Sequence, residues 1–506
     1  MSWISAAKSR SVAAWEAARP GIVAGSIAAM TMYAFFLVLR LAGGVPTPSE
    51  MFADASAPLI PVTLFGFLIS LVGGYTQLKI LGFAGVLFGA LVVGAAGGVL
   101  AQRRTAHRPR FIWAFAAILF VLSIGAFWPV LQTSYYGIPP QMARLVTVAV
   151  LAAGYAIYGT VTLLLLRAQA PEDGVSRRRF LTGSIAAAAG LVGVGAWAEL
   201  FRRASFPYDG QTVEGPGVGA ITPNELFYVV TKNVTDPSVD RDVWRLRISG
   251  AVAQPLELDY ARLTALPSVV QQTTLMCVNN DVAGGLMSNA EWKGVTLASL
   301  IAAARPSSDV KRVAFHSTDN YIETIPIAKA MESTTVLAYL MNGEPLPARH
   351  GFPARMLVPG YFGERNPKWV VGITLETTEF KGFYERQGWG PNFTVPTHAR
   401  FDVPDFSKPI PHGTVELRGV AFAGNRGVRR VEVSADGGTS WSDAAFTSPY
   451  VPTAWRLWKY EWRATPGDHR LIVRATDGAG TPQVATKRPT APEGATGLHE
   501  VQAHVV

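Results

Sequence analysis

The chain has 506 residues, 49% of them hydrophobic and only 16% charged, with a formal charge of +9. Residues 1–200 carry 14 Lys/Arg against 6 Asp/Glu (+8) and the remainder 31 against 30 (+1), so the basic excess lies beside apolar segments and a nucleic-acid surface is excluded. The single cysteine excludes an internal disulfide, a c-type haem attachment and a Cys-ligated iron–sulfur cluster.

Residues 1–200 read as an all-α membrane domain. A span needs about 20 mainly apolar residues, and 21–41, 81–101, 111–131 and 143–166 qualify. A fifth segment, 180–197, is shorter and rich in Ala and Gly, while 59–73 is apolar but bounded by Pro58 and Pro61 at one end and Gly73 at the other. Basic loops stay on the cytoplasmic side. The basic N-terminus, the cluster Arg103, Arg104, Arg108 and Arg110, and the cluster Arg177–Arg179 all fall inside if 59–73 lies on the outer face. This gives five spans, with six as the alternative, and places the chain after residue 198 outside. The anchor then sits in a bacterial-type cytoplasmic membrane, in contact with the lipid bilayer.

The stretch Ser176-Arg177-Arg178-Arg179-Phe180-Leu181 matches a twin-arginine export signal, the route for a domain exported already folded. Ala196-x-Ala198 resembles a cleavage site, and both cleavage and retention stay open. No histidine falls in a span, so haem held between helices is not expected. Asp, Glu and Lys are missing from mid-span as well, which argues against an ion path. The expectation is an anchor or docking platform.

A linker at 201–219, rich in Gly and Pro, leads to a mixed α+β region at 220–405. WRLRISGAV at 244–252 alternates as a strand does, and 297–304 is an amphipathic helix. From 406 to 506 the alternating runs VELRGVAF, RRVEVSAD and HRLIVRATD, separated by Gly-rich turns, predict an immunoglobulin-like β-sandwich.

Three blocks carry a family resemblance. Residues 274–295 read TLMCVNNDVAGGLMSNAEWKGV, with Cys277 after an apolar run. Residues 337–373 contain N-G-E-P-L-P-x-x-H-G-x-P-x-R-x-x-V-P-G-x-x-G followed by K-W, and 430–441 read RVEVSADGGTSW. In this order the blocks resemble the sulfite oxidase and periplasmic methionine-sulfoxide reductase family of molybdopterin-dependent oxidoreductases. The resemblance implies a molybdenum–molybdopterin cofactor whose metal takes Cys277 as thiolate, a soft ligand suited to such a centre. It also implies cofactor contacts from His350, Arg355, Lys368 and Asn366, with Asn224 and Ser317 or Thr318 as further contacts. Tyr321, in N-Y-I-E-T-I-P, takes the place of the family's active-site tyrosine. Trp292 is expected in the core. The 406–506 module resembles the family's dimerisation domain and so implies a homodimer.

One departure bears on substrate. Where sulfite oxidases carry arginines for the sulfite dianion, this chain reads FYVVTKN at 227–233 and CVNND at 277–281. Lys232 is the cation in these stretches, and Asp281 would repel an anion. The expected reaction is oxygen-atom transfer to or from a small sulfur or nitrogen oxide or a sulfoxide, with direction open and an external electron donor or acceptor, protein or quinone. The alternatives are a sulfite oxidase or dehydrogenase, and a cofactor-free membrane scaffold, sensor or transporter.

Overall fold

The computed structural model describes residues 2–73, 75–168, 175–203 and 218–506. Two compact units result, one formed by Met1–Leu59, Gly66–Phe206 and Asn233–Ser238 and the other by Ile60–Phe65, Pro207–Lys232 and Val239–Val506. Residues 204–217, most of the expected linker, lie outside the described residues.

The first unit is helical: α1 (Ser2–Gly43), α2 (Pro48–Ser56), α3 (Val62–Val72, whose first four residues fall in the second unit), α4 (Tyr75–Gln102), α5 (Arg108–Phe127), α6 (Pro140–Ala168) and α7 (Val175–Arg202). Among the described residues, four stretches are long and apolar enough to cross a membrane: Trp15–Gly43, Thr76–Gln102, Thr105–Val130 and Pro140–Arg167. At eleven residues, α3 extends only about 16 Å, short of a ~30 Å hydrocarbon core. The twin-arginine-like stretch 176–181 has a helical backbone in α7, and its side chains lie outside the described residues.

Glycines set the closest helix contact. A Cβ at Gly98 would strike the Gly21 carbonyl and one at Gly25 the Gly94 carbonyl, so α1 and α4 meet backbone to backbone through paired G-x-x-x-G spacings. Beyond α1, Thr47 and Glu50 form a capping box on α2. Glu50 also holds the buried Arg40 guanidinium at 2.9 Å, and Arg40 lies 3.4 Å over the Tyr135 ring and bonds Thr235. Lys79 donates to the Asn233 carbonyl at 2.8 Å. These contacts hold Asn233–Ser238 within the helical unit.

The second unit carries two five-stranded sheets and a sandwich. In the first sheet, β1 (Leu246–Gly250) is flanked by β2 (Leu256–Leu258) and pairs in parallel with β10 (Val370–Glu376), followed by β5 (Arg312–Ser317) and β6 (Ile322–Pro326). The second sheet runs β3 (Val269–Met276), β4 (Met287–Thr296), β7 (Val336–Met341) and β8 (Glu344–Pro345), with β9 (Arg355–Leu357) on β7. The helices α8 (Tyr260–Ala265), α9 (Leu297–Ala303) and α10 (Ile327–Ala330) lie between strands. In α9 the i, i+3, i+4 set Leu297, Leu300 and Ile301 faces a core with Trp244, Ile248, Val313, Phe315 and Ile373. Trp292 is fully buried, as expected of a core residue.

The sandwich has two four-stranded antiparallel sheets. One runs β11 (His398–Val403), β12 (Gly413–Phe422), β16 (Arg456–Ala464) and β15 (Ala445–Phe446), and the other β14 (Ser442–Asp443), β13 (Val428–Ser434), β17 (Gly467–Asp477) and β18 (His499–Val505). Its first strand precedes residue 406, because β11 pairs with β12 from His398 onward. Thr453 and Trp455 stitch this module to β3: the Thr453 hydroxyl bonds the Gln272 carbonyl at 2.5 Å and the Trp455 amide donates to Thr274 at 2.8 Å.

Candidate cofactor site

Cys277 directly follows β3, a strand whose last four residues are all buried. Its amide donates to the Leu286 carbonyl at 2.9 Å, which closes the loop 277–286, and the Asn279 amide reaches the sulfur at 3.4 Å. The side chain is 8% exposed. Burial, with the Glu364 carboxyl adding to it, pushes the thiol up to about 12. A free thiol here stays protonated, so a metal must displace the proton to gain the thiolate.

The H-G-x-P-x-R turn gathers the next group. Gly351 stands at φ +114°, and a Cβ there would press on Arg355 and Lys368 at 3.0–3.2 Å, so glycine lets the turn close over both. Arg355 is buried, donates to the His350 carbonyl at 3.1 Å and the Asn366 carbonyl at 3.2 Å, and stacks 5.2 Å over Trp292. Burial lowers its pKa to about 10, which leaves it a cation at neutral pH. Burial also lowers His350 to about 3, helped by Arg355, Lys368 and Arg349. A neutral imidazole 2.6 Å from the Asn224 carbonyl must donate from Nε2, so Nδ1 is the acceptor. Lys368 donates to the Arg349 carbonyl at 3.0 Å.

Ser317 and Thr318 join this group through the backbone, since the Thr318 amide donates to the Trp369 carbonyl at 3.0 Å. Both hydroxyls are buried and, among the described residues, have no partner, as is also true of Arg355 Nε. Unsatisfied buried polar groups are costly, and a ligand rich in hydrogen-bonding atoms would satisfy them. Asn366 plays another part: its Oδ1 takes the Val358 amide at 2.6 Å and its amide group donates to the Phe362 carbonyl at 2.9 Å. Its side chain is engaged within the turn, and Asn224 is similarly bonded to Asn342 at 2.9 Å.

Phe227 and Tyr228 join the two groups. The Phe227 ring meets His350, Trp292 and Tyr228 at 5.5–5.6 Å. Tyr228 is buried, and its phenol is raised well above the ordinary value by burial, with Cys277 and Glu364 raising it further and Arg355 opposing. Sequence reasoning assigns no role to Tyr228, although it stands in the stretch FYVVTKN.

Tyr321 is fixed from both sides. Its hydroxyl donates 2.7 Å to the Glu364 carbonyl and lies 3.1 Å from Glu323 Oε2. The alternation of β6 puts Glu323 on the same face as Tyr321, and Arg365 reaches back to Glu323 Oε1 at 2.6 Å and to Glu385 at 3.2 Å. Burial, partly opposed by Arg365, raises Glu323 to about 7, and burial with Glu323 raises Glu364 to about 8. Sequence reasoning does not anticipate this carboxyl cluster, though Glu323 lies in N-Y-I-E-T-I-P and Glu364 in the 337–373 block.

Neither acidic nor basic expectation at the pocket holds as framed. Lys232 is buried against Asp319, donating to its carbonyl at 2.8 Å with the carboxylate at 3.8 Å, so its charge is already matched. Asp281 is exposed and lines a cleft of about 340 Å³ with Val282, Ala283, Lys487, Arg488 and His499. It stands at the surface and so does not face a buried anion.

Residues 233–384 match the oxidoreductase molybdopterin binding domain, and residues 398–488 match the Mo-co oxidoreductase dimerisation domain. Mitochondrial sulfite oxidase of Mus musculus is 32% identical over 321 residues, covering 54% of this chain and 58% of that one. The NAD(P)H nitrate reductase of Hordeum vulgare is 26% identical over 328 residues, covering 52% and 36%. Among solved structures, the sulfane dehydrogenase SoxCD from Paracoccus pantotrophus aligns with a TM-score of 0.50 at 23% identity, covering 57% of this chain and 82% of that one, a likeness of fold. The chain spans about 58% of the length of the sulfite oxidase it matches.

Proposed function

Because the chain belongs to the sulfite-oxidase family of molybdopterin-dependent oxidoreductases, we propose that it is a membrane-anchored enzyme moving an oxygen atom to or from a small sulfur or nitrogen oxide or a sulfoxide. The observation that carries this reading is a buried cysteine, linked through Tyr228 to Arg355, together with a cradle of unpartnered donors, Ser317, Thr318 and Arg355 Nε. That donor set fits a pterin-borne molybdenum: Cys277 supplies the soft sulfur, while Arg355, Ser317, Thr318, His350 and Lys368 hold the pterin and its phosphate. When bound, the cofactor supplies the oxygen-atom and two-electron chemistry.

The chain's own residues orient and exclude. Trp292 and Phe227 wall off water behind Arg355 and His350. Tyr321, its hydroxyl held by Glu364 and Glu323, presents a phenol beside the pocket that can position an oxygen. Four apolar helices support anchoring, and the twin-arginine-like stretch supports a catalytic unit outside the cytoplasmic membrane. We read the sandwich as an immunoglobulin-like dimerisation module, on its two antiparallel sheets and its family match, and electrons as passing to or from a separate protein or quinone.

The identity to sulfite oxidase favours sulfite as an alternative substrate. Against it stands the charge inventory, since Lys232 is matched by Asp319 and Arg365 by Glu323 and Glu385. A panel of sulfite, sulfoxides, amine oxides and nitrate, with dye donors and acceptors, tests the reading on protein assayed for metal. We expect about one molybdenum per chain and turnover of an uncharged oxide. Absence of molybdenum would support a scaffold, and turnover of sulfite alone would support the alternative.

A further inference from the structure

The geometry points to Glu364 as a specificity-determining residue: its carboxyl turns the pocket beside Cys277 against oxyanions and toward uncharged oxides such as sulfoxides and amine oxides. This rests on the oxygen-transfer reading above and names the substrate class it admits.

Placement comes first. Glu364 lies in the short turn Gly363–Arg365. A Cβ on Gly363 would stand 2.5 Å from the Tyr228 hydroxyl and 3.4 Å from the Met276 carbonyl, so this turn packs directly on the residue preceding Cys277. On its other side, the Glu364 carbonyl accepts from the Tyr321 hydroxyl at 2.7 Å. Cys277, Tyr228 and Tyr321 each feel the charge of the Glu364 carboxyl. The residue therefore stands among Cys277, Tyr228 and Tyr321. The neighbouring Phe362 lies against Gly494, and the adjacent Ala495 and Thr496 line the open cleft.

Pairing comes second. Both Glu364 oxygens are buried, and among the described residues neither has a hydrogen-bond partner. Of the cations nearby, Arg355 bonds the His350 and Asn366 carbonyls, and three others serve other carboxylates. Arg365 serves Glu323 at 2.6 Å, Glu385 at 3.2 Å and the Thr324 carbonyl. Arg312 serves Glu385 at 3.4 Å and Glu379 at 3.3 Å, and Lys232 serves Asp319. The cluster thus holds three inward carboxyls, Glu323, Glu364 and Glu385, against two guanidiniums, and Glu364 is the one left over.

Consequence follows from charge. Above the raised Glu364 value of about 8, an entering dianion would bury two charges beside a carboxylate that no ion pair neutralises, which is unfavourable in a low-dielectric site. An uncharged oxide brings no such cost. It can also accept a hydrogen bond from the neutral form of the acid, whose two oxygens have nothing else to bond.

The test uses the full-length, metal-loaded protein, with Glu364→Gln to remove the charge at constant shape and Glu364→Asp to keep it. Sulfate is titrated as the anion probe and trimethylamine N-oxide as the uncharged probe, each read from the change in the molybdenum absorption spectrum. At pH 9.5, where the Glu364 carboxyl is ionised, Glu364→Gln should bind sulfate about tenfold tighter or more, while Glu364→Asp stays within about threefold of the parent. Sulfate affinity within about twofold of the parent in Glu364→Gln, at equal molybdenum content, overturns the proposal. So does tightening in Glu364→Asp equal to that in Glu364→Gln. If Glu364→Gln fails to load metal, calorimetric titration of cofactor-free protein with sulfate makes the same comparison: tighter binding supports the assignment and unchanged binding overturns it. A parent that carries molybdenum yet turns over no uncharged oxide would sink the broader functional reading, while the sulfate comparison still decides the role of Glu364.

Discussion

Replacing Arg365 by Met removes the charge that holds the carboxyl cluster together while keeping most of the side-chain bulk. Arg365 is 2% exposed, its partner Glu323 is fully buried at 2.6 Å, and the guanidinium also lies 3.5 Å over the Phe393 ring. Breaking a buried pair by removing one partner costs about 3–5 kcal/mol, because the other charge is left uncompensated. For a unit of this size that corresponds to a fall in Tm of roughly 6–15 °C. The loss depends on pH. Burial already raises Glu323 to about 7 in the parent, and removing Arg365, which lowers it, raises it further. A carboxyl raised on folding contributes stability that is full below its unfolded pKa, near 4.5, and is lost as pH rises through the folded value. Parent and variant therefore lose stability together up to about pH 7. Above that the variant goes on losing about 1.4 kcal/mol for each pH unit, until its own higher pKa is passed. Thermal melts of detergent-purified, cofactor-free full-length protein at pH 6 and pH 8.5 measure both effects. Adding Glu323→Gln to the variant should recover more than half of the loss. A Tm drop under about 2 °C, or a gap that narrows as pH rises, would refute the reasoning.

Other expectations follow from the same geometry. Cys277→Ser should reduce molybdenum from about one per chain to under about a tenth while leaving the cofactor-free melt nearly unchanged; full metal content would remove the ligand assignment. Ser317→Ala with Thr318→Val should leave the cofactor-free protein as stable as the parent or slightly more so, since two unpartnered hydroxyls are lost, yet speed cofactor release; a destabilised cofactor-free protein with unchanged retention would mark these hydroxyls as structural. His398 is 4% exposed, both ring nitrogens lack a partner among the described residues, and burial with Arg400 nearby lowers it to about 4. With an unfolded pKa near 6.5, its contribution is present above that value and lost as pH falls through about 4, roughly 3 kcal/mol in all. His398→Leu should flatten this acid limb, and superimposable limbs in parent and variant would contradict it.

Much of the frame was legible because it is local. An eleven-residue α3 follows from Pro61 at one end and Gly73 at the other, and the sandwich strands follow from alternation between Gly turns. The sandwich boundary was harder. Pro404 and Pro409–Pro411 read as a break before a new module, yet the strand ahead of them, with Ala399 and Phe401 turned inward, already pairs with β12. Proline ends a strand without saying which sheet it belongs to. Cys277, His350, Arg355, Ser317 and Thr318 were named from motifs, and the structure draws the last four into one neighbourhood. The carboxyl cluster was not legible, because its pairings are long-range: Glu323 meets Arg365 across 42 residues and Lys232 meets Asp319 across 87. A strand reading N-Y-I-E-T-I-P puts Glu323 on the face of Tyr321, but nothing local names the cation that makes this tolerable.

This division explains why fold and substrate separate here. The backbone turns proposed to hold the cofactor, Gly351 at φ +114° and the K-W pair just before β10, are specified by residues that act through shape and main-chain bonds. Substrate choice depends on side-chain charge, where every inward cation traced around Tyr321 already has a carboxylate and Glu364 remains unmatched. Two chains can therefore share the cradle and differ in the sign of the pocket above it. With Glu323, Glu364 and Glu385 all present, the proposal is that this scaffold presents, once Glu364 is ionised, a pocket suited to an oxygen that carries no net charge.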